Sequence, residues 1–196
     1  MTNSRCVPVE VGAWLDDRGI TSERELAQGA LNLWGNSFPA EDLPPPGASF
    51  DLGAIAFRLT RHGHADHFRC ARQLVSIPKG RYDWIYLLAA AERRTEDHVW
   101  LHFADGNLDR EWLRVDDFWP ETPPRFGPPG AEGLRCQALH YPRHVQKGHA
   151  PTLWRHRIPV TRESPLAALR FPDNPAIHVF AITAFLAALP DATEAP

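Results

Sequence analysis

The sequence predicts an all-β fold, a single β-sandwich with one short helix near its N-terminus, and three observations carry that prediction. Apolar runs are short and separated by Pro and Gly, which is the pattern of sandwich strands rather than of alternating helices and strands. Asp105-Gly106 stands between Val99–Phe103 and Trp112–Val115, and glycine tolerates the positive φ that a tight hairpin needs. With 196 residues and 43% hydrophobic composition, the chain is long enough to bury one substantial core.

In chain order the strand expectations are Val7–Val11, Ser49–Leu59, Gln73–Ile77, Trp84–Ala90, His98–Phe103, Glu111–Val115, Leu134–His140, Trp154–Val160, Leu166–Phe171 and Ile177–Phe185. The helix is expected over Ser22–Leu31, where Ser22 can cap and Glu25 can close a capping box before Leu26, Ala30 and Leu31. Pro44-Pro-Pro-Gly47 and the stretch Pro120–Gly130 lack the amide donors of a central strand and mark loops. The whole of 1–196 reads as one domain, with flexible ends at 1–5 and 190–196.

A net charge of -3 with 23% charged residues gives no large field of either sign, so neither nucleic acid nor an anionic membrane is an expected partner. Met1–Cys6 is polar and leads into Val7 without an apolar signal segment, and Ile177–Leu189 is too short and interrupted to cross a bilayer as a helix. The expected location is therefore the cytoplasm. Cys6, Cys70 and Cys136 are odd in number and widely spaced, so they are expected to be reduced and mostly buried. Arg69 and nearby histidines leave Cys70 open as a thiol nucleophile.

Several segments carry a resemblance: Leu15-Asp-Asp-Arg-Gly-Ile20, Gly35-Asn-Ser-Phe-Pro-Ala-Glu41 with Leu43-Pro44, Ala65-Asp66 through Cys70 to Gln73, Ile77-Pro-Lys-Gly-Arg-Tyr82, Leu87-Leu-Ala-Ala-Ala91, Phe103-Ala-Asp-Gly106 and Phe171–Thr183. In this order they resemble the β-sandwich modules appended to actinobacterial glycoside hydrolases of the α-L-fucosidase type. The resemblance implies a jelly-roll, galactose-binding-like fold and a carbohydrate ligand. It does not imply glycosidase activity, which in such enzymes belongs to a separate domain. This chain differs from those modules in its additional histidines, and no export signal is expected for it.

His62-Gly-His64-Ala-Asp66-His67 has the H-x-H-x-D-H spacing of the metallo-β-lactamase superfamily, whose ligands hold metal ions that activate water. No Asp-rich strand precedes it, and a sandwich-like segment follows, so a metal-dependent hydrolase ranks below the other readings. No cofactor is expected; a zinc or calcium site would draw on His62, His64 and His67. A second cluster, His140-Tyr-Pro-Arg-His144 with His149 and His156, supplies groups that titrate near neutral pH. Catalytic candidates are Glu41, His140 and His144.

Seven tryptophans offer stacking platforms. Trp34, Trp119 and Trp154 fall in loops or at strand ends, whereas Trp84 and Trp100 lie inside strand runs and read as core. Glu41 stands near Trp34, and Asp116-Asp117 precedes Trp119, as hydrogen-bonding groups or a carboxylate pair. The expected ligand-binding set is Trp34, Glu41, Asp66, Asp117, Trp119, Tyr141 and Trp154. With no phosphate-cradling Gly-rich loop and no G-x-S-x-G elbow, nucleotide-dependent and serine-hydrolase chemistry is not expected. Three functions remain: a protein that binds a carbohydrate or a glycosylated metabolite, a small intracellular enzyme of secondary metabolism with a His- and Trp-lined pocket, and an oligomerising sandwich without ligand. A homo-oligomer is compatible with each.

Overall fold

The structure, a computed structural model, describes residues 4–126 and 133–188. Strands in the first part of the chain are β1 (Cys6–Pro8), β2 (Ile20–Thr21), β3 (Phe38–Pro39), β4 (Ser49–Leu52), β5 (Ile55–Arg58), β6 (Phe68–Ala71), β7 (Leu74–Gly80) and β8 (Tyr82–Ala91). They continue with β9 (Thr95–Phe103), β10 (Leu108–Val115), β11 (Leu134–Arg135), β12 (Ala138–Tyr141), β13 (His144–Lys147), β14 (Thr152–Pro159), β15 (Leu166–Arg170) and β16 (Asp173–Leu186). The all-β expectation is met. The ends expected to be flexible lie, apart from Ser4 and Arg5, outside the described residues.

Two sheets face each other. One runs β1-β16-β8-β14-β11, with β6 also on β16, and the other runs β10-β9-β15-β7. Alternation sends Ile85, Leu87 and Ala89 from β8, and Val99 and Leu101 from β9, into the space between them. There Phe68 and Phe171 meet edge to face at 5.2 Å. The larger sheet is covered on its other face too, where Phe38, Phe118, Leu88 and Phe180 form a second cluster beneath the short pairs β2–β3, β4–β5 and β12–β13. Coverage on both faces explains why Ile177–Ala184 is apolar almost without interruption. Within that run, Thr183 donates to the Ala56 carbonyl at 2.7 Å.

The expected Asp105-Gly106 hairpin joins β9 to β10 in antiparallel register, with Gly106 at φ 86°. Other expectations need correction. The Ser22–Leu31 helix shrinks to a three-residue 3-10 turn at Leu26–Gln28. Ser22 and Glu25 do meet, through Oγ and Oε2 at 2.9 Å, but Glu25 is also held by Arg18, and the Ala30 amide donates to the Arg18 carbonyl. These tertiary bonds outweigh a weak local propensity. Ser49–Leu59 divides into the hairpin β4–β5 and Leu134–His140 into β11 and β12, while β6 had no counterpart among the expected strands.

Trp100 is not core. It lies between the inward-facing Val99 and Leu101, so the strand period turns it outward, and 40% of it is exposed. Trp84 is half-buried. Among the described residues no helix is long and apolar enough to cross a membrane.

All three cysteines are free; Cys70 and Cys136 are buried and Cys6 half-buried. Burial pushes the Cys70 thiol well above its ordinary value, a shift that Asp97 and Asp16 reinforce. A thiolate nucleophile there is disfavoured.

Candidate functional site

The loop preceding β3, the end of β8, the segment after β10 and the end of β12 enclose a cleft of about 310 Å³. Each wall has a local cause. The Asn32 Oδ1 accepts from the amides of Trp34 and Asn36 at 3.1 and 3.2 Å, and Asn32 Nδ2 donates to Asn36 Oδ1 at 3.0 Å. This folds a tight loop whose Trp34 side is 65% exposed over the cleft. Opposite, the Ala91 amide donates to Asp116 and the Phe118 amide donates back to Ala91, which ties the segment after β10 to the end of β8.

Asp117 sits at the centre of that segment. Its Oδ1 accepts from the Trp119 amide at 2.9 Å and its Oδ2 from Thr122 Oγ1 at 3.3 Å, a turn that fixes both the carboxyl and the Trp119 ring. Burial raises the Asp117 carboxyl above its ordinary value, although those two bonds and the nearby Arg93 and Arg94 pull the other way. Trp119 packs edge-on against Phe118 at 5.9 Å and His149 at 6.1 Å. Tyr141 completes the aromatic lining and stacks on His144 at 4.7 Å between ring centres.

Glu92 and Arg93 bring charge to the floor. The Glu92 Oε1 lies 3.5 Å from Nε2 of the buried His178, long for a hydrogen bond, yet the contact holds Glu92 below the ordinary carboxylate value. Two carboxyls on one cleft are thus pushed in opposite directions, Asp117 upward and Glu92 downward.

Of the expected ligand-binding residues, Trp34, Asp117, Trp119 and Tyr141 line this cleft. Trp154 supports it from behind, donating from Nε1 to the Asp117 carbonyl at 2.7 Å. Glu41 is exposed on a 3-10 turn at Ala40–Asp42 and is not in the lining. Asp66 is buried elsewhere, its oxygens accepting from the Gly19 and Ile20 amides. Asn32, Asn36, Glu92, Arg93, Phe118 and Thr122 were not anticipated. The one available signal was the polar Glu92-Arg93-Arg94 closing the apolar run Leu87–Ala91.

The catalytic candidates lie apart. His140 is buried, with Nδ1 3.0 Å from Thr21 Oγ1, and burial lowers its basicity against the opposing pull of Glu41. His144 is exposed, and with Glu41 and His140 it is not in the cleft lining. The histidine-rich motif disperses as well: His62 and His64 are exposed around the turn at Gly63, while His67 is buried against Phe180 at 4.8 Å. Among the described residues no group of three or more His, Cys, Asp or Glu side chains is placed to hold a metal ion.

A family model described as AziU2-like beta-sandwich domain matches residues 6–187. No curated protein matches the chain.

Proposed function

The chain belongs to the AziU2-like β-sandwich domain family, and on that premise we propose that the cleft between Trp34 and Trp119 binds a carbohydrate or the sugar of a glycosylated metabolite. The observation that carries this reading is the convergence of two tryptophans and a tyrosine, from three separate segments, around Asp117 and Glu92. Aromatic faces match the apolar faces of a sugar ring, and fixed carboxyls accept from its hydroxyls. The resemblance of the chain's motifs to glycoside-hydrolase accessory modules supports the same ligand class.

The test is a glycan array followed by calorimetric titration with the sugars it selects. Trp34→Ala and Trp119→Ala should each weaken binding by roughly tenfold, the effect of losing one stacked ring. Trp34 is mostly exposed, so its variant should melt with the wild type. Absence of any sugar binding at millimolar concentration would remove the proposal.

A second reading, an acid–base enzyme on the same ligand, is favoured by the opposite displacement of Asp117 and Glu92. Asp117 would donate the proton and Glu92 accept one. In that case Asp117→Asn abolishes turnover of a bound glycoside while leaving its affinity within about threefold. Unchanged turnover in Asp117→Asn would dismiss this second reading.

A further inference from the structure

A larger cleft, of about 580 Å³, opens where the β4–β5 turn, β8, β14 and the edge strand β10 come together, and none of its lining residues belongs to the site above. Residues two apart on a strand share a face, so Trp84 and Tyr86 from β8 stand beside Arg155 and Arg157 from the neighbouring β14. The Arg157 guanidinium lies 4.3 Å from the centre of the Trp84 ring. Across the cleft, on β10, the Arg114 guanidinium lies 4.9 Å from the Trp112 ring. A stacked guanidinium spends its face on the ring and keeps its in-plane N–H donors for a ligand.

The charges are not balanced from within. Arg114 pairs with Glu96 at 3.0 Å, but among the described residues neither Arg155 nor Arg157 has a carboxylate within ion-pair distance. Arg155 is nonetheless held in place. Its Nη1 donates to the Leu52 carbonyl at 2.5 Å, and Gly53, at φ 62°, presses so closely that a Cβ there would stand 3.1 Å from the same nitrogen. Glu111 is the one acidic residue of the lining, and burial, with Asp109 nearby, raises its carboxyl toward the neutral form. In a chain of net charge -3, this cleft is locally positive.

We propose that this cleft is a second ligand site, for a planar organic anion in which an aromatic or heteroaromatic ring carries a carboxylate or a phosphate. The ring inserts beside the Trp84 and Tyr86 side chains, and the anion takes the free donors of Arg155 and Arg157. A carboxylate and a phosphate meet these guanidiniums with the same paired-acceptor geometry, so the two are separated by experiment.

The full-length protein is titrated with benzoate, phenyl phosphate, inorganic phosphate and benzyl alcohol, followed by calorimetry and by the indole N–H resonances of the tryptophans. Benzoate or phenyl phosphate is expected to bind with Kd below about 1 mM, and whichever binds more tightly identifies the anion. Inorganic phosphate and benzyl alcohol, each lacking one half of the ligand, should be weaker by at least about tenfold. The Trp84 and Trp112 indole signals should move while those of Trp34 and Trp119 stay in place.

Arg157 is exposed and Arg155 half-buried, so Arg157→Gln serves as the variant least able to disturb folding. It and Arg155→Gln should each weaken binding by about tenfold, while Trp34→Ala leaves it unchanged. That last comparison separates this proposal from the sugar site. No binding of either ring-bearing anion at about 10 mM would overturn the proposal. So would binding indifferent to the double Arg155→Gln, Arg157→Gln variant, or inorganic phosphate that binds as tightly as phenyl phosphate.

Discussion

Asp66→Ala is expected to destabilise the protein by about 3 kcal/mol, because it takes the acceptor from the buried Gly19 amide and the half-buried Ile20 amide, at about 1–3 kcal/mol each. Asp66 is almost fully buried, and its oxygens accept from the Gly19 amide at 2.8 Å, the Ile20 amide at 3.0 Å and the His67 ring at 3.1 Å. A Cβ built on Gly19 would stand only 2.8 Å from Phe180 and 2.9 Å from the His67 ring, so the backbone is already pressed against its neighbours. For a domain of this size the loss corresponds to a fall in Tm of roughly 6–12 °C.

Asp66→Asn keeps one acceptor oxygen and should cost about half as much. His64→Ala, two residues away on the exposed side of the same motif, should change stability by less than about 0.5 kcal/mol. Urea unfolding of the three variants checks the set. An Asp66→Ala protein as stable as wild type would refute the structural role given to this carboxyl.

That contrast shows what the sequence could and could not disclose. The spacing of His62, His64, Asp66 and His67 is visible in one line of text, but burial is not. The structure sends two histidines to solvent, one into an aromatic stack, and the carboxylate to backbone amides. The long strands β8, β9, β10, β14 and β16 were legible because each buries enough apolar side chains to impose its period. The two-residue strands β2 and β3 carry no period, and β6 is only four residues long, interrupted by Arg69. Trp100 could have been placed correctly, since its neighbours Val99 and Leu101 are both apolar and alternation alone turns it outward.

For the candidate site the aromatic half was legible, because Trp34 and Trp119 stand beside turn-forming residues where a large ring is poorly covered. The polar half was not. Asn32 and Asn36 look like ordinary loop residues, and Glu92 is 25 residues before Asp117; only the pairing of Ala91 with Asp117 brings them together. Both His140 and His156 lie in the histidine-rich stretch that suggested acid–base chemistry, yet burial lowers the basicity of each. The same burial makes histidine chemistry a matter of stability.

Acidification from pH 7 to pH 4 should therefore destabilise the protein steeply, through His178 and His156. Burial depresses His178 to about 4; His67 and Arg69 nearby add to the depression, and Glu92 opposes it. His156 is also held at about 4 by burial, against the pull of Asp116, and its Nε2 accepts from the Asp116 amide at 3.2 Å. Each ring is neutral when folded, whereas in the unfolded chain it binds a proton near its ordinary value of about 6.5. Above that value both states are neutral and stability is complete. As pH falls below it, the unfolded state alone takes up protons, and stability drops until the folded pKa near 4 is reached. A displacement of this size amounts to about 3 kcal/mol per ring, lost mostly between pH 6.5 and pH 4. Urea midpoints at half-unit intervals of pH measure the slope. His178→Leu removes one proton-binding group, a buried Nδ1 that lacks a hydrogen-bond partner, and only a long 3.5 Å contact from Nε2 to Glu92, so it should remain within about 1.5 kcal/mol of wild type at pH 7. Its stability should then fall about half as steeply below pH 6.5. A variant that follows the wild-type curve through this range would show that His178 is not a source of the acid sensitivity.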